Sequence, residues 1–386
     1  MLHDHCRDAA RWTAFAIGSV LLGYGSPAWA TPEMFTVTNL VTDDQSVNTA
    51  KLTDPSLVNS WGIAASAGSP FWVGDNGAGV STLYTVNPAT NAVTKNGLTV
   101  TIPGDGTVTG VAFNSAGAAA FNGDNFLFVN EDGTISGWRG ALGTTAEILQ
   151  TGSTANVYKG TALATIAGNT YLYSANFRTG TIDVVKGNGA APNLPGSFTD
   201  PNIPSGYAPF DIKLLSGHLF VTYALQDGAK HDDVPGLGNG FVSEFDLQGN
   251  FVGRIASQGD LNSPWGLAIA PASFGNFSGD LLVGNFGDGT IDAFNLLTDS
   301  FDGPLMTGSG DISIDGLWAL TTGNGGSGGS PNNIYFTAGP NGEMDGLFGV
   351  ITPVPEPITL SVFGVGLAGA FAMRRRKWGG GDARLG

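Results

Sequence analysis

Pro264-Trp265-Gly266-Leu267-Ala268-Ile269, then Asp280-Leu281-Leu282-Val283-Gly284-Asn285, then Thr290-Ile291-Asp292-Ala293-Phe294-Asn295: these three short runs decide the architecture. The first two are compact apolar segments of strand length. The third alternates polar and apolar residues with period two, as a half-buried strand does. Phe286-Gly287-Asp288-Gly289 separates the last two with turn chemistry, because Gly supplies positive φ and Asp tolerates it.

The opening phrase returns along the chain. Trp61-Gly62-Ile63-Ala64, Thr109-Gly110-Val111-Ala112, Lys159-Gly160-Thr161-Ala162, Pro209-Phe210-Asp211-Ile212, Trp265-Gly266-Leu267-Ala268 and Asp315-Gly316-Leu317-Trp318 place their second residues at 62, 110, 160, 210, 266 and 316, in steps of 48, 50, 50, 56 and 50. A fixed period of this size marks a repeat fold. Three clear strands and a less regular fourth per period predict an all-β, six-bladed β-propeller with four-stranded blades over residues 31–353. The first strand of each repeat should be innermost. Small residues there suit sheets that converge on an axis. Repeat four departs with Phe210 and Asp211, and repeat six with Trp318; these either plug the channel or mark a site. Phe35-Thr36-Val37-Thr38-Asn39-Leu40-Val41 should add a strand to the sixth blade and close the ring.

The chain ends carry different information. Residues 1–30 read as a signal peptide: Arg7 and Arg11, the 13-residue apolar stretch from Trp12 to Tyr24, and a cleavage site at Ala28-Trp29-Ala30. At the other end, Val354-Pro355-Glu356-Pro357 precedes 16 uncharged residues, Ile358 to Met373, and then Arg374-Arg375-Arg376-Lys377. A run of this length spans a thin bilayer, with the basic cluster held on the cytoplasmic side. The three-part order over 354–377 resembles the PEP-CTERM sorting signal of Gram-negative bacteria. That resemblance implies export, transient inner-membrane anchoring by a single transmembrane helix, cleavage near Val354 to Pro357 by exosortase, and release or display at the cell surface. A permanent anchor is the other reading. Residues 378–386 form a cytoplasmic tail longer than the signal usually carries.

Between the two ends, residues 31–353 hold nine Lys and Arg against 28 Asp and Glu, a net charge of about −19. Such a surface repels nucleic acid and anionic membrane, and the membrane is expected to matter only through the C-terminal helix. The single cysteine, Cys6, falls in the signal, so the propeller has neither disulfide nor thiol chemistry. Only His218 and His231 remain, which disfavours a His-rich zinc site.

Chemistry should gather where loops meet over the axis. Asn76, Asn130-Glu131-Asp132, Asn176 and Asn285 follow the second strands; Asn59, Tyr207, Asn262 and Asp315 lead into the inner ones. Oxygens of this kind bind a hard cation such as Ca²⁺, or serve as turn and strand-end chemistry. Repeat four carries a long loop, Gln226 to Gly240, that should overhang the same face. Asp227, Asp232 and Asp233 could ligate a metal; His231 or Asp232 could act as a general base; or the loop is a solvated lid with internal salt bridges.

The Pro-x-Gly-Leu-Ala, Leu-Leu-Val-x-Asn and Gly-x-Ile-x-x-Phe pattern over residues 35–351 resembles NHL-type and gluconolactonase-type propellers. The 226–242 segment with the sorting tail is similar to a family of secreted PEP-CTERM-associated propellers. The gluconolactonase likeness implies one axial metal held by a carboxylate and Asn side chains. Asn130, Asn176 and Asp211 stand in matching places, but the early Glu of repeat one is missing, since Glu33 precedes the ring. The expected function is a secreted or surface-sorted, non-catalytic propeller binding a ligand or partner in an exopolysaccharide matrix. The alternative is a Ca²⁺-dependent hydrolase or lactonase working on the axial face.

Overall fold

The computed structural model describes residues 33–355, which form a ring of six radial β-sheets. The inner strands are Ser60–Ala64, Val108–Phe113, Tyr158–Ile166, Tyr207–Leu215, Pro264–Ile269 and Leu317–Thr322, one per repeat, as the period requires. Each pairs antiparallel with the next strand in sequence, which leads outward. Blades one, two, four and five carry four strands. Blade three has three laddered strands. Beyond them, irregular chain packs Phe198 on Tyr173 and bonds to Gln248 and Gly249 of blade four.

Blade six closes the ring. Phe35–Thr42 pairs antiparallel with Leu347–Pro353, from Phe35 opposite Pro353 to Thr42 opposite Leu347. Met34 accepts a bond from the Val354 amide at 2.8 Å. The sheet edge that an open ring would expose is thereby used. The expectations for residues 1–30, for Glu356 and Pro357, for Arg374, Arg375 and Arg376, and for the 378–386 tail lie outside the described residues. Among the described residues no helix is long and apolar enough to cross a membrane.

The glycine of the repeat has a steric cause. A Cβ on Gly62 would stand 2.4 Å from the Thr109 carbonyl oxygen of the next inner strand. One on Gly266 would stand 2.6 Å from the Trp318 carbonyl oxygen. At Gly160 the missing Cβ leaves the space that Asp211 Oδ1 fills, 1.9 Å from where it would be. Repeat four thus carries Asp211 where repeats two and three carry Val111 and Thr161, and its carboxylate fits because Gly160 has no Cβ.

Aromatic rings fill the centre of the ring. Trp318 stacks on Trp61 at 3.5 Å and on Phe286 at 3.9 Å between centroids. Trp265 meets both tryptophans edge-on, and Phe210 meets Trp318 at 6.0 Å and Phe177 at 5.2 Å. Trp61, Trp265, Trp318 and Phe210 are all buried. Of the two readings of Phe210 and Trp318, plugging the channel is the one observed.

Candidate functional site: the axial mouth

The inner strands all start on one face of the ring, and the second strands all end there. Their loops meet above the aromatic plug. Lys159, first in its repeat phrase, sits at the start of the third inner strand and is 1% exposed. Its ammonium donates to Glu131 and, at 3.2 Å, to Asp232 Oδ1, and it lies 5.0 Å above the Trp61 ring. Asn76 donates from Nδ2 to Glu131 Oε2 at 3.4 Å. Asn59 donates to Glu343 Oε2 at 2.8 Å and accepts from Trp318 Nε1 at 3.2 Å. His231 Nδ1 is 2.9 Å from Asp232 Oδ1.

Each blade supplies a part. Blade one gives Asn59 and Asn76, blade two Glu131, blade three Lys159, blade four His231 and Asp232, and blade six Glu343. Blade five contributes Phe286 to the plug. The long loop does overhang this face, held by Asp227 Oδ1, which accepts the His231 amide at 2.8 Å, and by the Asp227 amide on the Asp232 carbonyl at 2.8 Å.

The electrostatics follow the one ammonium. Burial works against the charge on Lys159, but Glu131 and Asp232 outweigh it and raise its pKa. Burial would raise Asp232, yet Lys159 and His231 hold it below the usual carboxylate range. Glu343 and Asp233 are both raised by burial, eased for Glu343 by Asn59 and for both by Lys159. Glu131, His231 and Asp232 are also the one group among the described residues with ligand atoms close enough to hold a metal ion, all within 4.8 Å. Lys159 already lies against the two carboxylates of that group.

The candidate residues therefore divide. Asn76, His231 and Asp232 come together at the mouth, and Asp227 holds their loop. Asn130 donates to the Pro103 carbonyl, and Asn176 to Asn156 and Asp183, so both serve the ends of strands. Asn285 bonds Thr290 and Asp292 within its own blade. Asp211 is buried against Gly160, with its amide on Thr222 Oγ1. Lys159 and Glu343 were missed in the sequence. Lys159 left a signal: it is the only cation at the first position of the six repeat phrases. Glu343 left none, because it lies in an irregular turn at a positive φ of 67°.

The ring and mouth define the class: a six-bladed propeller in which a lysine of its own chain bridges two axial carboxylates, Glu131 and Asp232. The chain belongs to the family of two uncharacterized proteins of Acanthamoeba polyphaga mimivirus. One is 33% identical over 327 residues, covering 79% of this chain and 77% of that protein. The other is 30% identical over 323 residues, covering 77% and 80%. Residues 353–377 match the PEP-CTERM protein-sorting motif. The motif implies export, exosortase processing and transient membrane anchoring in a Gram-negative bacterium. Among solved structures, a glucose dehydrogenase is similar at 12% identity and a TM-score of 0.47, over 83% of this chain and 99% of that one. The GH93 α-L-arabinofuranosidase of Fusarium graminearum is similar at 11% and 0.45, over 83% and 98%. Likenesses at this level carry nothing about activity.

Proposed function

We propose that this exported propeller binds a ligand or partner of the extracellular matrix, exopolysaccharide foremost, at its axial mouth and does not turn it over. The observation that carries the reading is Lys159. Its ammonium is buried between Glu131 and Asp232, where a catalytic cation would have to bind. A metal ion must displace a charge that is covalently attached and cannot diffuse away. What remains available is a rim of polar groups from Asn76, Asp232 and Glu343 over a closed aromatic floor. Hydrogen-bonding groups above a plug suit a polyhydroxylated ligand lying across the face. A second reading, a metal-dependent hydrolase or lactonase with His231 or Asp232 as base, is favoured by the closeness of Glu131, His231 and Asp232.

Two measurements on the purified protein separate these readings. Equilibrium dialysis against Ca²⁺ should give no stoichiometric binding, and a lactone and ester panel should give no turnover. Co-sedimentation with acidic and neutral exopolysaccharide should show saturable binding, weakened about tenfold by joint Asn76→Ala and Glu343→Gln changes, or about 1.4 kcal/mol. Stoichiometric Ca²⁺ with ester cleavage abolished by Asp232→Ala would overturn the proposal.

A further inference from the structure

The axis has a second end, which the mouth does not use. Where the inner strands finish, they frame a cavity of about 230 Å³. Its walls include Ile63, Val111, Thr161, Leu163 and Thr321, from blades one, two, three and six. Lys213, from the fourth inner strand, is the only charged side chain lining it. Among the described residues the Lys213 ammonium has no hydrogen-bonded or ion-paired partner, and the one charge that favours it is that of Asp211, two residues back on the same strand. Asp211 is itself buried, turned onto Gly160 of blade three rather than lining the cavity.

We propose that this basal cavity is a binding site for small organic monocarboxylates, with Lys213 as the counter-ion and the apolar strand ends around the hydrocarbon body. Three features lead there. A partly buried ammonium beside Ile63, Val111 and Leu163 lacks a partner, and a ligand carboxylate is the group that would pair it. A single cation matches a single negative charge; a dianion would leave one charge unpaired beside the buried Asp211. A space of about 230 Å³ admits a small organic acid such as hexanoate. Burial lowers the Lys213 pKa and Asp211 only partly restores it. The inference is independent of the mouth: the plug of Trp61, Trp265 and Trp318 separates the two ends.

The test is isothermal titration of the purified protein with hexanoate, hexanol and inorganic phosphate. Hexanoate should bind at least about tenfold more tightly than either comparator. Lys213→Met should abolish that margin, and Lys230→Met, at an exposed loop position, should leave it intact. Because Lys213→Met acts inside the ring, a second measurement uses the wild-type chain alone. Acylation of Lys213 by an amine-reactive ester, read by peptide mass spectrometry, should be slowed by hexanoate and unchanged by hexanol. Equal binding of hexanoate and hexanol, equal binding of phosphate, an unchanged Lys213→Met variant, or acylation indifferent to hexanoate would each overturn the proposal.

Discussion

Replacing Lys159 with Met tests the centre of the molecule most directly. The side chain is 2% exposed, its partner Glu131 11% and its partner Asp232 65%. The Asp232 arm is open to water and salt, so it contributes at most about 1 kcal/mol. The Glu131 arm is different, because breaking a buried pair leaves a carboxylate without its counter-charge, at about 3–5 kcal/mol. Asn76 remains on Glu131 at 3.4 Å and softens the loss. Methionine retains most of the stem's contact with Trp61 but not the attraction of the cation for the ring, about 1 kcal/mol. The net expectation is a loss of about 4 kcal/mol, read by urea unfolding followed through tryptophan fluorescence. Adding Glu131→Gln should return about 2 kcal/mol, since the orphaned charge goes with it. Salt at ~1 M should alter the difference by less than about 1 kcal/mol. The sign with pH is also fixed. The folded pKa of Lys159 is raised above 10.5, so its stabilisation is complete below that value and disappears as pH climbs through the higher one. The Lys159→Met variant should lack this alkaline loss. A Lys159→Met protein within about 0.5 kcal/mol of wild type, or a double variant no better than the single, would refute the account of the mouth.

Two further outcomes concern the ring. Gly62→Ala places a methyl 2.4 Å from a backbone oxygen that cannot rotate away; it should cost about 3 kcal/mol, measured by the same unfolding experiment. Asp211, raised by burial from 3.8 to about 7, destabilises the fold progressively as pH rises between those values, because the native state then holds a proton the unfolded chain releases. Asp211→Asn should therefore raise stability at pH 8 by on the order of 2–4 kcal/mol and change little at pH 4, in parallel denaturation curves at the two pH values.

Much of the ring could be read from the chain because its geometry constrains sequence locally. Converging inner strands require a residue without Cβ at Gly62 and Gly266, and the same need recurs at Gly110 and Gly160. Closure by Phe35–Thr42 was legible for a related reason: an alternating strand preceding the first repeat had one free edge to join. The aromatic filling was half legible. Phe210 and Trp318 stood out as departures, but nothing in their spacing told that they would meet Trp61, Trp265 and Phe286 in one cluster. The mouth was legible as a set of loops and not as a circuit of bonds. Asn76, Glu131 and Asp232 occupied the expected positions, but the group that organises them is a lysine from a strand read only as part of a repeat. Its charge makes sense only once two carboxylates from other blades, Glu131 and Asp232, are brought against it. Asn130, Asn176 and Asn285 looked equivalent to Asn76 by position, yet their hydrogen bonds turn inward to their own blades or loops.

The antiparallel alternation of blade six fixes the pole from which the chain leaves the ring. Leu347–Pro353 begins beside the mouth and runs down to the opposite rim, so the chain departs toward the sorting motif from the lower side. Val354 and Pro355 therefore stand at the Lys213 end of the ring, and Lys159 with its carboxylates at the other. The two poles thus differ in what adjoins them: loops from the blades converge at one, and the chain leaves toward the sorting motif at the other.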